Sequence, residues 1–451
     1  MRKFSLFAFV WIFLGSIGYS ADFFCASGNV GCLISAIEVS NGNGQDNTIF
    51  LEEGEYTLHT PNGTNPVNGL PAITGRIRIV GPEGIGSTIE RDPTAPRFRL
   101  FEIAAGGNVV LDWLGIRNGE TPSSGLAEAC GGAILNAGTL TINRTAIYKN
   151  RTTFHSGGGI CSSGKLSISN SEISRNITGG DDAGGAIFSS GPFRVEDSRI
   201  YDNGADSGVI FSQGTGVILR TTISDNGSDQ GAIKNVGTLW IEDSSFARND
   251  GGAIDNDGTL SVVNTTIFQN KPFLFGGGIV NTGNMFLKNT SVIANVTTRA
   301  GIQNLGRSQN PGRLILQNSI LALNTKGTSP ADCDSITSLG NNIIGSLDGC
   351  SVVLRSSDIV GDPGVGSFIE DVLVYGSGHV PLMPGSPAIG HGNDGACTPR
   401  DQLGEPRHGL CDIGAVEFQG NHKNEDGKNQ HHTNEDDSHD GDHHDSNMDH
   451  R

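Results

Sequence analysis

A repeat of 21 to 27 residues runs through the middle of this chain and constrains its fold more than any other feature. Each unit begins at an Ile, has a Gly four residues later and closes at an Asn, as in residues 251–270, GGAIDNDGTLSVVNTTIFQN. The isoleucines are Ile134, Ile160, Ile187, Ile210, Ile233, Ile254, Ile279 and Ile302. The closing asparagines are Asn150, Asn176, Asn203, Asn226, Asn249, Asn270, Asn295 and Asn324.

A period of this length without helical spacing is typical of a solenoid, in which each unit buries its apolar edge only against its neighbours. Apolar residues alternate within the unit, as at Leu260 and Val262, which is the period of a strand with one buried face. Propeller blades need about 40 residues or more, so the unit is too short for that fold. The repeat predicts an all-β, single-stranded parallel β-helix, and a right-handed one because parallel crossovers have that hand.

Two positions of the repeat predict how the turns are made. The second residue after each Ile is always Asn or Ser, and identical side chains stacked at the strand spacing can form hydrogen-bond ladders. We expect the Gly two residues later to adopt a left-handed backbone conformation. The predicted ladder residues are Asn136, Ser162, Ser189, Ser212, Asn235, Asn256, Asn281 and Asn304.

The first 20 residues predict export. Arg2 and Lys3 precede an apolar run over residues 4–14 and then small residues, which is the pattern of a secretory signal peptide cleaved after Ser20 or Ala21. The run is too short to span a bilayer, and no other candidate span follows in the sequence. We therefore expect a secreted protein or one on the extracellular surface.

Eight cysteines in an exported chain predict four disulfides. The cysteines fall into pairs that are close in sequence, and only the second pair requires the loop before Ile134 to fold back. The predicted pairs are Cys25 with Cys32, Cys130 with Cys161, Cys333 with Cys350, and Cys397 with Cys411.

The formal net charge of -18 limits the class of partner. Residues 421–451 contain nine acidic and three basic residues, so most of the negative charge belongs to the rest of the chain. An acidic body argues against binding nucleic acid, and against tight binding of polyanions unless divalent cations bridge the two.

The C-terminal sequence DCDSITSLGNNIIGSLDGC, followed by DIVGDPGVG and GSPAIGHGNDGACTPRDQLGEPRHGLCDIGAVEF, resembles the choice-of-anchor Q domain of exported bacterial β-helix proteins. CLISAIE, followed by NTIFLEEGEYTL, is similar to the CSLREA segment near the start of the same proteins. They resemble polymorphic outer-membrane proteins and β-helical polysaccharide lyases in fold, and the resemblance implies no particular activity. With the repeat, it predicts an N-terminal cap with the first coils over 21–100, β-helix repeats over 101–324 and a C-terminal cap domain over 325–419.

Residues 420–451 are predicted to be a disordered tail, because they include almost no apolar residue that could pack. Histidines interleaved with aspartates could bind zinc, nickel or copper, since imidazole and carboxylate suit those ions. The alternative is a solvated tail that binds metals only adventitiously. The histidines concerned are His431, His432, His439, His443 and His444.

Acidic residues six positions after the repeat Gly are the candidates for catalysis. Asp197, Arg220 and Asp243 occupy this position in three consecutive coils, which places the two carboxylates about 9 to 10 Å apart. That separation is near the upper limit for an inverting glycoside hydrolase. An ion ladder between coils is the favoured alternative, because Arg220 would keep both carboxylates ionised.

Asp250, Asp255 and Asp257 form a second acidic cluster around a glycine-rich turn, and their oxygens are the ligands that calcium prefers. The alternative is that these residues favour the turn for backbone reasons alone. The sequence has no nucleophile triad, phosphate-binding loop or zinc-ligand spacing.

A clear scaffold pattern without a catalytic constellation favours a secreted or cell-surface scaffold for adhesion, envelope structure or carbohydrate binding. Its expected partners are polysaccharide or cell-envelope components. The alternative is a polysaccharide lyase or glycoside hydrolase acting in a groove, an analogy that rests on fold alone. Basic residues near acidic calcium ligands on one sheet would favour the enzyme, whereas a flat face of Thr, Ser and Asn would favour binding.

Overall fold

The computed structural model describes residues 20–62, 67–121, 130–180, 182–272, 277–305 and 312–420. In each regular coil the chain passes through three strands in turn, and equivalent strands of successive coils pair in parallel. The result is three long sheets, named A, B and C below. The predicted parallel β-solenoid is therefore confirmed, while the predicted signal peptide, apart from Ser20, lies outside the described residues.

Sheet A has 13 strands, most of which are five residues long, with side chains alternating between the interior and the surface. Its strands are Ala21–Cys25, Asp46–Leu51, Arg76–Val80, Asn108–Asp112, Thr139–Asn143, Lys165–Ser169, Phe193–Glu196, Thr215–Leu219, Thr238–Glu242, Thr259–Val263, Asn284–Lys288, Arg313–Gln317 and Thr337–Ser338.

Sheet B also has 13 strands, most of them three residues long. They are Gly54–Leu58, Ser87–Arg91, Leu114–Arg117, Ala146–Tyr148, Glu172–Ser174, Arg199–Tyr201, Thr222–Ser224, Ser245–Ala247, Thr266–Phe268, Ser291–Ile293, Ile320–Ala322, Ile343–Ile344 and Ile359–Val360.

Sheet C has nine strands, and the repeat isoleucines begin eight of them. They are Phe101–Ile103, Ile134–Asn136, Ile160–Ser162, Ile187–Ser189, Ile210–Ser212, Ile233–Asn235, Ile254–Asn256, Ile279–Asn281 and Ile302–Asn304. Two minor sheets complete the described strands: Arg151–Thr152, Ile177–Thr178, Gly204–Ala205 and Gly227–Ser228 in one, and Thr325–Lys326 with Ser329–Pro330 in the other.

The apolar positions of the repeat fill the interior of the coil. In one coil Ile134 of sheet C, Leu140 and Ile142 of sheet A and Ile147 of sheet B are all fully buried. The same positions of the next coils lie directly above them in register. Stacking therefore buries one continuous apolar column, which no single coil could bury alone.

The turns use left-handed residues, but not the ones that the sequence suggested. The repeat glycine Gly258 does not have a positive φ, so the predicted left-handed conformation is wrong. A Cβ atom on Gly258 would instead lie 2.1 Å from the carbonyl oxygen of Gly237 in the preceding coil. Glycine is required at this corner because two backbones approach each other closely.

Asparagine ladders join the coils at two corners. Seven closing asparagines each donate from Nδ2 to Oδ1 of the next, from Asn150 to Asn324, at 2.8 to 3.1 Å. Asn324 in turn donates to Asp332. The predicted ladder after the Ile forms where amides follow one another, from Asn235 to Asn304. In the serine coils Ser189 donates to Gly191 O instead, because a hydroxyl is too short to reach the next coil.

A helix over Val30–Asn43 lies between the first two strands of sheet A, and the sequence pattern did not predict it. Asn29 Oδ1 accepts a hydrogen bond from the backbone N–H of Cys32, which caps the first turn. The helix ends at Gly44, whose φ of 69° is left-handed. No helix in the described part of the chain is long and apolar enough to cross a membrane.

All four predicted disulfides are present. Their Cα–Cα distances are 5.5 Å for Cys25 and Cys32, 5.7 Å for Cys130 and Cys161, 4.9 Å for Cys333 and Cys350, and 6.6 Å for Cys397 and Cys411. Four disulfides are compatible with a secreted or extracellular location.

The segment that follows the last strand of sheet B, residues 361–418, is called the C-terminal segment and packs along the outer face of this sheet. Phe268, Ile293 and Ile320 point outward from this sheet and form a second apolar core with Val380 and Ile413 of the segment. Sheet B is therefore covered over these coils. The predicted boundaries of the two cap regions stay predictions.

Candidate functional site

The candidate catalytic residues lie in the turn that joins sheet A to sheet B. Asp197, Arg220 and Asp243 have φ values of 46°, 42° and 50°, and Asn264 continues the row at 44°. Asp and Asn tolerate the left-handed region better than most residues other than Gly. The left-handed backbone conformation therefore explains why Asp occupies positions 197 and 243 without any role in catalysis.

The predicted ion ladder forms between two of its three members. The guanidinium of Arg220 donates to both carboxylate oxygens of Asp197, at 2.6 and 2.8 Å. Asp243 instead accepts a hydrogen bond of 3.1 Å from Asn264 Nδ2, and burial raises its pKa to about 6. The two carboxylates therefore lie in different environments, Asp197 beside a guanidinium and Asp243 beside an amide.

The C-terminal segment lies over the same turn. Gly376 approaches so closely that a Cβ atom there would lie 2.6 Å from the carbonyl oxygen of Asp243 and 2.9 Å from Cα of Arg220. Its backbone N–H also donates to Thr222 Oγ1 at 2.8 Å. Asp243 thus lies at a packed interface rather than in an open groove, and the role of Asp197 and Asp243 as acid and base stays a prediction.

A lysine lies between two residues of the proposed calcium cluster. Lys234 Nζ is 2.8 Å from Asp255 Oδ2 and 3.0 Å from Asp257 Oδ2, and all three side chains are largely buried on sheet C. Among the described residues, no group of three or more His, Cys, Asp or Glu side chains could hold a metal ion. Lys234 thus supplies one positive charge to Asp255 and Asp257, and a calcium site formed by these two residues with Asp250 stays a prediction.

The tail histidines His431, His432, His439, His443 and His444 lie outside the described residues, so the transition-metal site stays a prediction.

The outer face of sheet A carries a groove of about 510 Å³ that crosses five coils. The floor consists of the third residue of each of five strands, whose side chain points outward. Parallel strand pairing aligns these residues in one row. The floor residues are Val217, Trp240, Ser261, Phe286 and Ile315. Thr215, Thr238, Thr259, Asn284 and Arg313 form a second aligned row at the start of the same strands.

Two aromatic side chains flank a small residue in the floor. Trp240 and Phe286 lie one coil before and one coil after Ser261, so their strands are about 9.6 Å apart. Trp240 is 44% exposed, and its Nε1 donates to Glu242 Oε2 at 3.0 Å. Ser261 leaves an opening between two apolar surfaces, and the Thr row borders it with hydroxyl groups.

The groove can bind a flat ligand that is apolar on its faces and polar at its edge. Aromatic rings pack against apolar faces, and threonine hydroxyls both donate and accept hydrogen bonds. Neighbouring threonines repeat at the strand spacing of about 4.8 Å, so they present the same group at regular intervals along the coil.

Sequence reasoning missed this groove, although the signal was present. The repeat places Trp240 and Phe286 at the third position of their sheet A strands, between two apolar residues that point inward. Alternation alone predicts that both aromatic side chains face outward. Large apolar residues at outward positions mark a binding surface more often than an ordinary exposed face.

A comparison with known protein families agrees with the fold described above. Residues 126–267 match the family model described as a right handed beta helix region. The chain is a right-handed parallel β-helix. The A-module of Azotobacter vinelandii mannuronan C-5 epimerase AlgE6 is similar in structure at 13% sequence identity, over 74% of this chain and 92% of that chain, with a TM-score of 0.35. For the A-module of AlgE4 from the same organism the values are 11%, 75%, 97% and 0.31. No curated protein sequence matches this β-helix.

Proposed function

We propose that this β-helix is a secreted or cell-surface scaffold that binds polysaccharide in the sheet A groove, in adhesion or in the cell envelope. The observation that carries the proposal is that Trp240 and Phe286 lie on either side of Ser261, beside a row of threonines. A sugar ring has an apolar C–H face and hydroxyl groups at its edge. This chemistry complements the aromatic floor and the threonine border.

The composition of the groove supports binding without bond cleavage. Among the described residues that line the groove, Arg313 is the only one with an ionisable side chain. Cleavage of a glycosidic bond by acid and base catalysis needs a pair of groups that can exchange protons. An arginine stays protonated and cannot supply such a pair.

The resemblance to exported choice-of-anchor Q proteins and the four disulfides support a location outside the cell. Such a location would expose the groove to envelope or matrix polysaccharides.

The test is a binding and activity screen of the full chain on neutral and acidic polysaccharides. Retention on a polysaccharide column and tryptophan fluorescence, which Trp240 would report, measure binding. New reducing ends and unsaturated products, with calcium or with a chelator, measure cleavage. We expect binding without products, and products that persist in Trp240→Ala would replace the proposal with a lyase or hydrolase acting elsewhere.

Variants locate the site. Trp240→Ala and Phe286→Ala should each weaken binding about tenfold, the effect of losing about 1.4 kcal/mol from one aromatic contact. Phe154→Ala is the matched control, because Phe154 is 58% exposed and does not line the groove. Equal losses for all three variants would contradict the assignment of the groove.

A further inference from the structure

The two ends of the sheet A groove differ in charge. At the end of the later coils, Arg313 lines the groove and Lys288 points outward from the neighbouring strand Asn284–Lys288. Among the described residues, neither cation has an ion-pair partner. Arg313 is the first residue of its strand and Lys288 is the last residue of the neighbouring strand, so the two cations lie on opposite sides of the apolar pair Phe286 and Ile315 in the floor.

The opposite end of the groove is neutral or acidic. Glu242 lies beside Trp240 and accepts the hydrogen bond from its indole. Two coils further, Glu196 pairs with Arg194 at 2.5 Å, so this arginine already has an ion-pair partner. The charge along sheet A therefore changes from acidic near Trp240 to basic near Arg313.

The distance between the two ends is long enough for this difference to matter. Trp240 and Ile315 are three coils apart, or about 14 Å. At physiological ionic strength exposed charges are screened beyond about 8 Å. Lys288 lies in the same row as Glu242 two coils away, or about 10 Å, and Arg313 lies farther from Glu242. A ligand group beside either cation is therefore influenced by that cation more than by Glu242.

We propose that the ligand of the sheet A groove is an acidic heteropolysaccharide, with a neutral sugar stacked on Trp240 and an acidic sugar over Phe286 and Ile315, whose carboxylate lies at Arg313 while Lys288 adds positive charge on the opposite side of the floor. This inference rests on the proposed function. Arg313 suits a carboxylate because its planar guanidinium can donate two parallel hydrogen bonds. A polymer that is charged at every sugar is disfavoured, because one of its carboxylates would lie beside Glu242.

The experiment compares three oligosaccharides of equal length by titration calorimetry on the full chain. Hyaluronan fragments alternate acidic and neutral sugars, oligogalacturonate is acidic throughout, and cello-oligosaccharide is neutral. Hyaluronan fragments should bind at least tenfold more tightly than the other two. The preference should weaken at high salt, because the contact with the two cations is screened.

Removal of the two cations tests the assignment directly. The double variant Lys288→Gln/Arg313→Gln should bind hyaluronan fragments no better than cello-oligosaccharide, with binding of the neutral ligand unchanged. The matched control Lys271→Gln/Lys326→Gln removes the same charge from two exposed lysines outside sheet A. It should keep the preference.

The outcomes separate this inference from the function on which it rests. Tightest binding by oligogalacturonate, or a preference that survives Lys288→Gln/Arg313→Gln, overturns the heteropolysaccharide. If all three ligands bind equally and Trp240→Ala weakens all of them, the groove stands and the ligand charge is wrong. If none binds, or Trp240→Ala has no effect on any, both the inference and the proposed function fail.

Discussion

The side chain of Asn226 donates a hydrogen bond of 3.0 Å from Nδ2 to Oδ1 of Asn249, and its backbone N–H donates to the same oxygen at 3.1 Å. Asn249 in turn donates to the carbonyl oxygen of Ile223 at 3.0 Å and to Asn270 Oδ1 at 2.8 Å. Both asparagines are buried. One closing side chain thus satisfies backbone groups that the turn would otherwise leave without partners.

Asn249→Ala should lower the free energy of unfolding by about 3 kcal/mol or more. The change leaves the buried N–H of Asn226 and the carbonyl of Ile223 without these partners, and each such group costs about 1 to 3 kcal/mol. Denaturant unfolding followed by circular dichroism measures the effect. Asn108→Ala, at an exposed position of sheet A, is the control and should change stability by less than about 0.5 kcal/mol. Similar losses in both variants would contradict a structural role for the ladder.

Gly258→Ala should lower the melting temperature clearly, although Gly258 is not left-handed. The added methyl group would lie 2.1 Å from the carbonyl oxygen of Gly237, so the two coils would have to separate locally. Gly227→Ala is the matched control in the same part of the β-helix, because a Cβ atom there meets nothing within 4 Å. An unchanged melting temperature for Gly258→Ala would show that the corner has room for a side chain.

The sequence predicts the fold well because the repeat reports stacking directly. An Ile followed four residues later by a Gly in eight units, with an Asn at the same offset in seven of them, leaves few folds available, and the parallel sheets follow from this pattern. The physical reason for the repeat glycine is harder to infer from the sequence. Gly258 is required because two backbones approach each other closely, and a single sequence cannot distinguish that requirement from a left-handed turn.

The helix over Val30–Asn43 and the groove were missed for different reasons. Leu33, Ala36 and Ile37 have helical spacing, but Gly31 and Gly42 are poor helix formers and conceal the pattern. Alternation predicts that Trp240 and Phe286 face outward, but only strand register shows that the two lie in one row on either side of Ser261. The packing of the C-terminal segment on sheet B depends on contacts between residues more than a hundred positions apart, which local patterns do not encode.

Asp243→Asn should stabilise the protein at neutral pH. Burial raises the pKa of Asp243 from 3.8 to about 6, so the folded state holds a proton that the unfolded state has released. The contribution of Asp243 to the free energy of unfolding is fully present below about pH 4 and is lost as the pH rises through about 6. The neutral amide avoids that loss, and melting temperatures of variant and wild type should diverge between pH 4 and pH 7. Asp197→Asn should give no such gain, because Asp197 pairs with Arg220. A variant that follows wild type at every pH would contradict the buried assignment.

Lys234→Met should destabilise the protein and make its stability depend on calcium. Lys234 Nζ lies within 3.0 Å of both Asp255 and Asp257, and methionine keeps most of the side-chain volume while removing the charge. Two largely buried carboxylates then face each other without their cation, at a cost of roughly 3 kcal/mol. Calcium can replace the ammonium because it takes carboxylate ligands. Melting curves with calcium and with chelator should separate for the variant and coincide for wild type. Lys271→Met removes an exposed lysine and should resemble wild type. A wild-type curve that shifts with calcium as much as the variant curve would indicate a native calcium site and contradict the role assigned to Lys234.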